Sequence, residues 1–586
     1  MKWDLTYLFP TIAAYDKAGK ETVEIIKELA TYKGKLSNEP DFVSYYLLQK
    51  KLQVVGLRVY QYASLKSDLN KKDMKNASEL QKVQIAFANL AEAVAFEEPE
   101  LIKLGKETVL GMTDRHPELA EFRFAFEKLF RRQEHILDDQ SEALLANFSS
   151  LANAGRDLYS SLSVADIEHN DIMLDSGDLV TITNSNYRAF IQKSASAKER
   201  QDIFESVFSY YETHKSTYAS IYKTVLQSDY AFMKARKYAS CVESYLFNNQ
   251  IPVEVYRSLT KVARSTTAPI KKYLELRKKF LGLEVLHTYD RFLDLVKTDK
   301  EYEFAEAKQL FFQSIAKFPA DFQAKAADVL KDGFVDVYEQ EGKRTGAYSS
   351  SMPDLHPYIL LNYSKTLGDV FTVAHEAGHS IHSTYAAEAQ PANLQEYTIF
   401  VAEVASTFNE HNLLDYFITS SNASKNEKIA LLQRAIDDIL STFYRQTLFA
   451  IYELESHKLI ETDQPITADS LSAIMIKLYQ EFYGIDITKE GPKPFVWAYI
   501  PHLFYTPFYV YQYATSFAAS LKIYEDVKKG VKGAFDRYIG LLKSGGSDYP
   551  INQLKKAGVD LTKEDAFKAV ANRLKELVDQ LEVVIG

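Results

Sequence analysis

The segment TVAHEAGHSIHSTY, residues 372–385, contains two histidines and a glutamate at a spacing that suits a metal ion. His375 and His379 are four residues apart, so on a helix they lie one turn apart and their ring nitrogens can converge. Glu376 completes the pattern His-Glu-x-x-His, in which two imidazoles hold zinc and the glutamate acts as general base on a water. The pattern predicts a hydrolytic zinc site; the alternative is a helix that carries solvated or core histidines.

The helix that must present these groups is predicted over residues 367–386. One stripe at helical spacing is apolar and should face the core; it consists of Val370, Val373, Ala374, Ala377 and Ile381. The neighbouring stripe carries His375 and His379 together with His382. Ser380 follows His379 where the motif needs a glutamate, so we interpret His382 as a flanking group.

A catalytic zinc site also needs a third protein ligand and an open position. The extended motif that supplies a third histidine is excluded, because its glycine and histidine positions hold His382 and Tyr385. The remaining candidates are acidic residues downstream of the motif, namely Glu388, Glu396, Glu403 and Glu410. Asn393 and Glu396 predict the N-terminal cap of a new helix, which gives Glu396 a structural role.

Glu403 and Glu410 are one heptad apart and would share a helix face. Glu403 has half-apolar neighbours, among which an isolated carboxylate is costly unless a cation or hydrogen bonds compensate it. Glu410 could accept the second ring N–H of a ligating histidine, which is the usual outer-shell arrangement. Taken alone, either glutamate could equally lie on a solvated helix face.

The elements that must position this site are predicted to be mostly helical. The chain of 586 residues contains only 22 glycines and 16 prolines, and long segments repeat apolar residues three and four apart. Two segments depart from this period: residues 171–187 alternate around a Ser-Gly-Asp turn, and residues 342–365 contain the strand-like run YILLNY. We predict a mainly α fold with a small β-sheet element beside the histidine helix.

The length of the chain exceeds what one hydrophobic core usually supports, so several subdomains are expected. The boundary is predicted near residue 195, where the hairpin gives way to further helices. This boundary divides the chain into an N-terminal helical region with a hairpin, residues 1–195, and a catalytic domain, residues 196–586.

Charge and cysteine content exclude several classes of function. The net charge is −10 without any basic block, which gives no footprint for nucleic acid and disfavours anionic membranes.

The single cysteine, Cys241, cannot form an intrachain disulfide, so we expect a reducing, cytoplasmic location. Asp4 and Pro10 interrupt the N-terminus where a signal peptide is apolar, and no apolar run approaches the roughly 20 residues that span a bilayer. The oligomeric state stays open.

Several motifs along the chain share one resemblance: TLGDVFTVAHEAGHSIH with the following FVAEVASTFNE, the opening WDLTYLFP, the turn GKRTGAYSS and the strand PYILLNY. Together they resemble the thimet oligopeptidase and oligoendopeptidase F family of zinc metallopeptidases, and oligoendopeptidase F most of all. The resemblance implies that Glu403 is the third ligand of one Zn²⁺ per chain. It also implies a helical, two-lobed body that encloses a deep substrate cleft.

The aromatic segment WAYIPHLFYTPFYVYQY, residues 497–513, also resembles its counterpart in that family. Aromatic stripes more often form core than sites, and Thr506 with Pro507 predicts a helix start that leaves His502 in the preceding loop. The resemblance implies that a histidine and tyrosines here donate hydrogen bonds to the substrate carbonyl and the oxyanion. We assign this role to His502, Tyr509 and Tyr511, with Tyr505 and Tyr513 as alternatives.

The expected function is hydrolysis of internal peptide bonds in short, unstructured oligopeptides by a zinc-activated water. The YILLNY strand could pair with the substrate backbone, which would make binding tolerant of side-chain sequence. One alternative is a catalytically inactive helical peptide-binding protein that retains the zinc site. Another is a different zinc hydrolase such as a deformylase, but such enzymes use a cysteine ligand, and Cys241 lies far from the motif.

Overall fold

The computed structural model describes residues 2–298, 300–419 and 424–586. It is 70% helical with small sheets, which confirms the mainly α fold class. The first helices along the chain are α1 Ile12–Ala30, α2 Glu39–Leu69, α3 Met74–Ala93, α4 Glu97–Leu104, α5 Lys106–Arg115, α6 Arg123–Arg132, α7 Asp139–Asn147, α8 Ser149–Ala152, α9 Ala154–Ser160, α10 Tyr187–Lys193, α11 Ala197–Thr213, α12 Lys215–Ala235 and α13 Cys241–Phe247. The later helices are α14 Val253–Ser265, α15 Ala268–Phe280, α16 Phe304–Ser314, α17 Ala320–Val329, α18 Leu367–Ala389, α19 Ile399–Thr419, α20 Lys425–Ile439, α21 Arg445–Glu461, α22 Ala468–Tyr483, α23 His502–Tyr505, α24 Tyr511–Lys528, α25 Ala534–Leu542, α26 Pro550–Lys556 and α27 Asp565–Ile585.

Short strands and turns connect these helices. The strands are β1 Asp171–Met173, β2 Leu179–Thr181, β3 Val335–Asp336, β4 Tyr348–Ser350 and β5 Tyr358–Leu360. The 3₁₀ turns are Leu5–Tyr7, Pro117–Phe122, Gln133–His135, Asp290–Phe292, Ala392–Leu394, Ile487–Lys489 and Lys493–Tyr499, and single π-helical turns cover Ser161–Ala165 and Leu440–Tyr444. Among the described residues, no helix is both long enough and apolar enough to cross a bilayer.

The chain folds into two compact units, each built from three separate segments. The first unit comprises Met1–Glu134, Asp299–Tyr416 and Ile523–Val559, and the second comprises His135–Thr298, Phe417–Lys522 and Asp560–Gly586. Residue 195 lies inside the second unit, between α10 and α11. Each unit combines segments from both sides of residue 195, so the predicted regions 1–195 and 196–586 do not coincide with the two units.

In the first unit, α18 is the central helix. It packs against α16, α17 and α25 and against strands β4 and β5. The predicted apolar stripe of this helix is confirmed, because every member from Val370 to Ile381 is at most 1% exposed. Burial of such side chains contributes roughly 1.5–3 kcal/mol each for the larger ones, which fixes the rotation of the helix about its axis.

A three-stranded sheet in the order β3-β5-β4 lies beside α18. β5 pairs with β3 in parallel and with β4 antiparallel, with Tyr348 opposite Leu360. The strand predicted in YILLNY is thus confirmed for Tyr358–Leu360. The Ser349 and Ser380 hydroxyls lie 2.8 Å apart and join β4 directly to α18.

In the second unit, α12 packs against α9, α21 and α22, while α27 packs against α14, α15 and α20. The predicted hairpin is confirmed: β1 and β2 are antiparallel, with Ile172 opposite Val180. The Ser-Gly-Asp turn connects them, and Gly177 there has a positive φ of 89°, a region that glycine enters without steric cost.

The helix start predicted at Asn393 is wrong. Ala392–Leu394 form only a 3₁₀ turn, and α19 begins at Ile399. The Asn393 amide donates to the Glu121 carbonyl at 3.4 Å instead of capping a helix. The Gly546 N–H also donates to the Leu394 carbonyl at 2.8 Å, so tertiary contacts satisfy the backbone groups that a helix would otherwise pair.

Candidate metal centre

Helix α18 begins with a complete capping box. Thr366 accepts the Asp369 N–H, and the Asp369 carboxylate accepts the Thr366 N–H in return. These two bonds satisfy backbone donors that the first helical turn leaves free. The helix then runs without interruption through His375, Glu376 and His379. The predicted helix is confirmed, and it extends three residues beyond the predicted end.

Three side chains from α18 and α19 converge on one point. His375 Nε2 lies 3.2 Å from His379 Nε2 and 3.4 Å from Glu403 Oε2. His379 Nε2 lies 3.5 Å from the same Glu403 oxygen. Within the described part of the chain, His375, His379 and Glu403 form the group of histidine, cysteine and acidic side chains that could hold a metal ion. The ligand set that the family resemblance implied is therefore brought together by the fold.

The donor set and its spacing fit zinc. A tetrahedral ion with nitrogen and oxygen ligands at about 2.0–2.2 Å separates neighbouring ligand atoms by roughly 3.3–3.5 Å, which matches the observed triangle. Two imidazoles and one carboxylate also form a usual catalytic donor set, which leaves the fourth position for water or substrate. Glu388, another sequence candidate, instead pairs with Lys325 at 2.8 Å.

Glu410 orients His375, the first candidate ligand. Its Oε1 lies 2.5 Å from Nδ1 of His375, the ring nitrogen that points away from the metal position. If Nδ1 keeps the proton and donates to the carboxylate, Nε2 carries the lone pair that a metal requires. Glu403 and Glu410, which the heptad pattern left equivalent, thus occupy two different positions around the same imidazole.

A hydroxyl within α19 orients the Glu403 carboxylate, and an amide joins α19 to α18. The Ser406 hydroxyl donates to Glu403 Oε2 at 2.9 Å and holds the carboxylate in place. The Asn409 amide donates to the Ala374 carbonyl of α18 at 3.2 Å. The sequence analysis gave no role to Ser406 or Asn409. Their spacing of about one and two helical turns from Glu403 could have indicated that they lie on the same face of the helix.

Glu376 is buried beside the ligands without being one of them. Only 5% of it is exposed, and its Oε2 has no hydrogen-bond partner among the described residues. Burial, reinforced by the carboxylates of Glu403 and Glu410, raises the pKa of Glu376 to about 7. The oxygen is therefore free to bind a water or a proton.

The two histidine ligands have opposite electrostatic environments. Burial disfavours the charged form of both rings. At His375 the Glu410 and Glu403 carboxylates outweigh burial and raise the pKa. At His379, burial and the neighbouring His375 charge hold the pKa below its ordinary value.

His382 does not join the ligand group. It is 1% exposed and stacks on Tyr397, with ring centroids 3.6 Å apart and planes inclined by 5°. Burial lowers its pKa to about 3, so the ring is neutral. Its interpretation as a flanking group is consistent with this packing.

The aromatic segment belongs to the second unit and does not follow the predicted path. His502 begins the single-turn helix α23 instead of lying in a loop, and the helix predicted to start at Thr506 and Pro507 begins only at Tyr511. Phe508 between them has a positive φ of 52°, and its N–H donates to the buried carboxylate of Glu453 at 2.8 Å. This tertiary hydrogen bond prevents the continuous helix that the cap residues predicted.

Three of the aromatic candidates cluster, and one is buried elsewhere. His502 stacks on Tyr509 with centroids 5.9 Å apart, and Tyr513 meets both rings edge-on. Tyr511 is 3% exposed and packs against Tyr256 in the core. His502 and Tyr505 line a cavity inside the second unit.

Comparison with known proteins identifies the family. The model of peptidase family M3 matches residues 190–572, and a model named oligopeptidase F matches residues 100–168. Oligopeptidase PepF of Bacillus subtilis is 33% identical over 100% of this chain and 87% of its own length. Group B oligopeptidase PepB of Streptococcus agalactiae is 32% identical over 98% of this chain and 96% of its own length.

Solved structures agree with these relatives. A Chlamydophila abortus protein assigned as a peptidase has a TM-score of 0.90 at 31% identity and covers 100% of this chain and 98% of its own. Oligoendopeptidase-F of Enterococcus faecium has a TM-score of 0.74 at 27% identity and covers 97% of this chain and 98% of its own. Together with the converging ligands, these matches show that the chain belongs to peptidase family M3, among the oligoendopeptidase F proteins, and is a metallo-oligopeptidase.

Proposed function

We propose that this protein is a zinc-dependent endopeptidase that hydrolyses internal bonds of short, unstructured peptides. The observation that carries the proposal is the convergence of His375, His379 and Glu403, with the free carboxylate oxygen of Glu376 beside them. The names of the related oligopeptidases support the substrate class. The single buried cysteine, Cys241, supports a reducing, cytoplasmic location, and no nucleic-acid or membrane partner is proposed.

In this proposal, His375, His379 and Glu403 would hold the zinc ion. When bound, zinc lowers the pKa of a coordinated water and polarises the scissile carbonyl. Glu376 accepts a proton at its free carboxylate oxygen from the attacking water and delivers it to the departing amine. Glu410 keeps the proton on Nδ1 of His375, and Ser406 keeps the Glu403 carboxylate oriented.

We assign to His502 and Tyr509 the role that the family resemblance implies for His502, Tyr509 and Tyr511, which is donation of hydrogen bonds to the substrate carbonyl and the oxyanion. A donor of this kind stabilises the transition state and lowers the barrier by on the order of 3 kcal/mol. His502 and Tyr509 are the better-supported members, since they are only half-buried and stack on each other. Burial of Tyr511 against Tyr256 favours a structural role for that ring.

The test combines metal analysis with peptide cleavage. Zinc content is measured in the wild type, in Glu376→Gln and in Glu388→Gln, a control on the same helix whose side chain is 53% exposed. Each protein is then given a quenched fluorescent peptide and, separately, casein as a size control. We expect bound zinc in all three proteins, and peptide cleavage slowed by roughly 10²–10⁴-fold only in Glu376→Gln.

Other outcomes have distinct meanings. Zinc in the wild type without cleavage of any short peptide would support the peptide-binding alternative. Absence of zinc from the wild type after exposure to the metal would refute the ligand assignment. Equal rates for Glu376→Gln and Glu388→Gln would refute the general-base role.

A further inference from the structure

The second unit contains a cavity of about 850 Å³ whose wall is unusually rich in cations. The positively charged side chains at this wall are Arg188, Arg277, Arg291, Arg445 and Lys493. A cavity of this size lies in the range of known ligand sites. The cluster contrasts with the whole chain, whose net charge is −10.

The acidic groups at the wall are already engaged by other partners. Asp294 accepts the Gln192 amide at 2.7 Å, and Asp437 accepts the Tyr273 hydroxyl at 2.9 Å and lies 4.0 Å from Arg277. Asp438 lies 3.7 Å from Arg434. The charge of Arg291 also acts on Asp437, but among the described residues none of these three acids forms an ion pair within 4.0 Å with Arg291, Arg445 or Lys493.

Arg291, Arg445 and Lys493 have no ion pair within 4.0 Å among the described residues. Arg291 and Arg445 instead lie over the rings of Phe292 and Phe449, at 4.5 and 5.0 Å from their centroids. Ring faces attract a cation but do not neutralise it. A guanidinium presents several N–H donors in one plane, so Arg291 and Arg445 still have donors available for an anion.

Lys493 is the most informative of the three. It is 6% exposed, lines the cavity, and lies 5.1 Å from the ring centroid of Tyr479. Burial lowers the pKa of Lys493, and Glu490, a carboxylate whose charge opposes this shift, already accepts the Thr288 N–H at 2.9 Å and the Thr288 hydroxyl at 2.6 Å. A buried ammonium without a carboxylate partner costs folding energy, which indicates that it serves an anion that is not part of the chain.

The neighbouring groups respond to this positive potential. Burial and the adjacent charge of Arg445 lower the pKa of Arg291 to about 10. Burial by itself raises the pKa of the Tyr479 phenol, yet Lys493 and the nearby arginines outweigh it and bring that pKa below its ordinary value. The cavity therefore favours negative charge at more than one point of its wall.

We propose that this cavity is a carboxylate subsite, in which Arg291, Arg445 and Lys493 bind the C-terminal carboxylate or an acidic side chain of the peptide substrate. The proposal rests on the proposed function, because His502, assigned there to substrate binding, lines the same cavity. Arginine forks match the two oxygens of a carboxylate, and a charge-assisted bond of this kind is stronger than a neutral one. The subsite would make substrate choice depend on charge while tolerating other side chains.

The experiment measures binding of three short peptides to the Glu376→Gln protein, which would not consume them. All three are acetylated and carry no basic group: one has a free C-terminus, one is amidated, and one is amidated with a single glutamate in place of glutamine. We expect the free acid or the glutamate peptide to bind about tenfold more tightly than the uncharged amide. The peptide that shows the gain identifies the source of the carboxylate.

Variants connect this preference to the cavity. Arg445→Gln and Arg291→Gln, each in the Glu376→Gln background, should abolish the preference for charged peptides while leaving affinity for the amide unchanged. Arg257→Gln is the matched control, since Arg257 belongs to the same unit and is 73% exposed. Arg445→Lys, which keeps the charge, should retain part of the preference, and circular dichroism checks that every variant is folded.

The outcomes separate this inference from the proposed function. Equal binding of all three peptides, or a preference that survives both Arg445→Gln and Arg291→Gln, would overturn the carboxylate subsite even if the wild type cleaves peptides. A charge preference that these variants remove would support the subsite even if the wild type cleaves none. Preference lost equally in Arg257→Gln would mean that long-range charge alone produces it and would also overturn the subsite.

Discussion

Gly378 of α18 lies directly against the backbone of α19 at Ala405. A Cβ atom built on Gly378 would lie 2.6 Å from the Ala405 carbonyl oxygen and 2.6 Å from Cα of Ser406. A glycine inside a helix costs about 1 kcal/mol of stability relative to alanine. The glycine between His375 and His379 is therefore explained by close packing and not by helix propensity. Without a side chain at this point, the two helices approach closely enough for Glu403 to reach His375 and His379.

We predict that Gly378→Ala separates the two helices and weakens the metal centre. The added methyl group meets backbone atoms, which cannot rotate away, and such overpacking costs about 1–3 kcal/mol. The variant should bind zinc at least tenfold more weakly and should unfold at a lower temperature. Zinc titration and thermal unfolding measure both effects.

Gly540→Ala is the matched control for this prediction. Gly540 lies in α25 of the same unit, and a Cβ there meets nothing within 4 Å. The substitution should leave zinc affinity unchanged and stabilise the protein by up to about 1 kcal/mol. Equal zinc affinity in Gly378→Ala and Gly540→Ala would show that the close approach at Ala405 is unnecessary.

Removal of the Glu410 carboxylate should weaken zinc binding without removing a ligand. Loss of such an outer-shell partner usually costs 10–100-fold in metal affinity, so we expect roughly this loss in Glu410→Ala. Glu410→Gln should lose less, because its amide oxygen can still accept the Nδ1 proton of His375. Competition with a metal chelator measures the affinities, and similar values for wild type and Glu410→Ala would contradict the role.

Zinc should stabilise the folded chain through its three ligands. A ligand at roughly a hundredfold excess over its Kd stabilises the folded state by about 2.7 kcal/mol. Thermal unfolding of the wild type should therefore shift upward with zinc and downward with a chelator. Glu403→Gln should show a much smaller shift, and a full shift in that variant would exclude Glu403 as a ligand.

His356 should make stability fall in mild acid. The ring is half-buried, stacks on Phe334 with centroids 3.3 Å apart, and leaves Nε2 without a hydrogen-bond partner among the described residues. Burial lowers the pKa of His356 from its ordinary 6.5, although the hydrogen bond to the Pro357 carbonyl and the charges of Asp328 and Asp4 oppose the shift. The unfolded chain then binds a proton more readily than the folded chain, so stability is present above pH 6.5 and is lost as the pH falls toward the folded-state pKa.

Denaturant unfolding across this pH range tests the effect of His356. His356→Gln should lose the part of the pH dependence that appears in mild acid, whereas His169→Gln, at an exposed position, should keep it. Identical pH profiles for the wild type and His356→Gln would contradict the prediction. Acidic groups remote from His356 contribute equally to all three proteins and cancel in the comparison.

Local pattern was enough to predict the histidine helix and its chemistry. The spacing of His375, Glu376 and His379, the apolar stripe from Val370 to Ile381 and the hairpin all depend on residues close in sequence, and the structure reproduces them. Helical and strand periods act over a few residues, so they can be recognised in the sequence without the fold.

Local pattern failed where a distant group competes for the backbone. Asn393 and Thr506 have the residue types of helix caps. The Asn393 side chain instead donates to the Glu121 carbonyl, and after Thr506 the Phe508 N–H donates to the buried carboxylate of Glu453. Cap propensities amount to about 1 kcal/mol, whereas a buried polar group left without a hydrogen bond costs about 1–3 kcal/mol, so a buried tertiary partner can override a cap. Neither partner could be identified from its position in the sequence.

Local spacing was enough to predict the type of site, because two imidazoles and a glutamate at helical spacing are typical of a metal-binding helix face. The heptad spacing placed Glu403 and Glu410 on one face and suggested a cation partner for the first and an outer-shell position for the second, although either could equally have lain on a solvated face. The fold established where each carboxylate lies: with the close contact at Gly378, Glu403 lies on the Nε2 side of His375 and Glu410 on its Nδ1 side. The cationic cavity was likewise decided by the fold, since its wall groups come from separate segments whose proximity depends on packing and not on spacing.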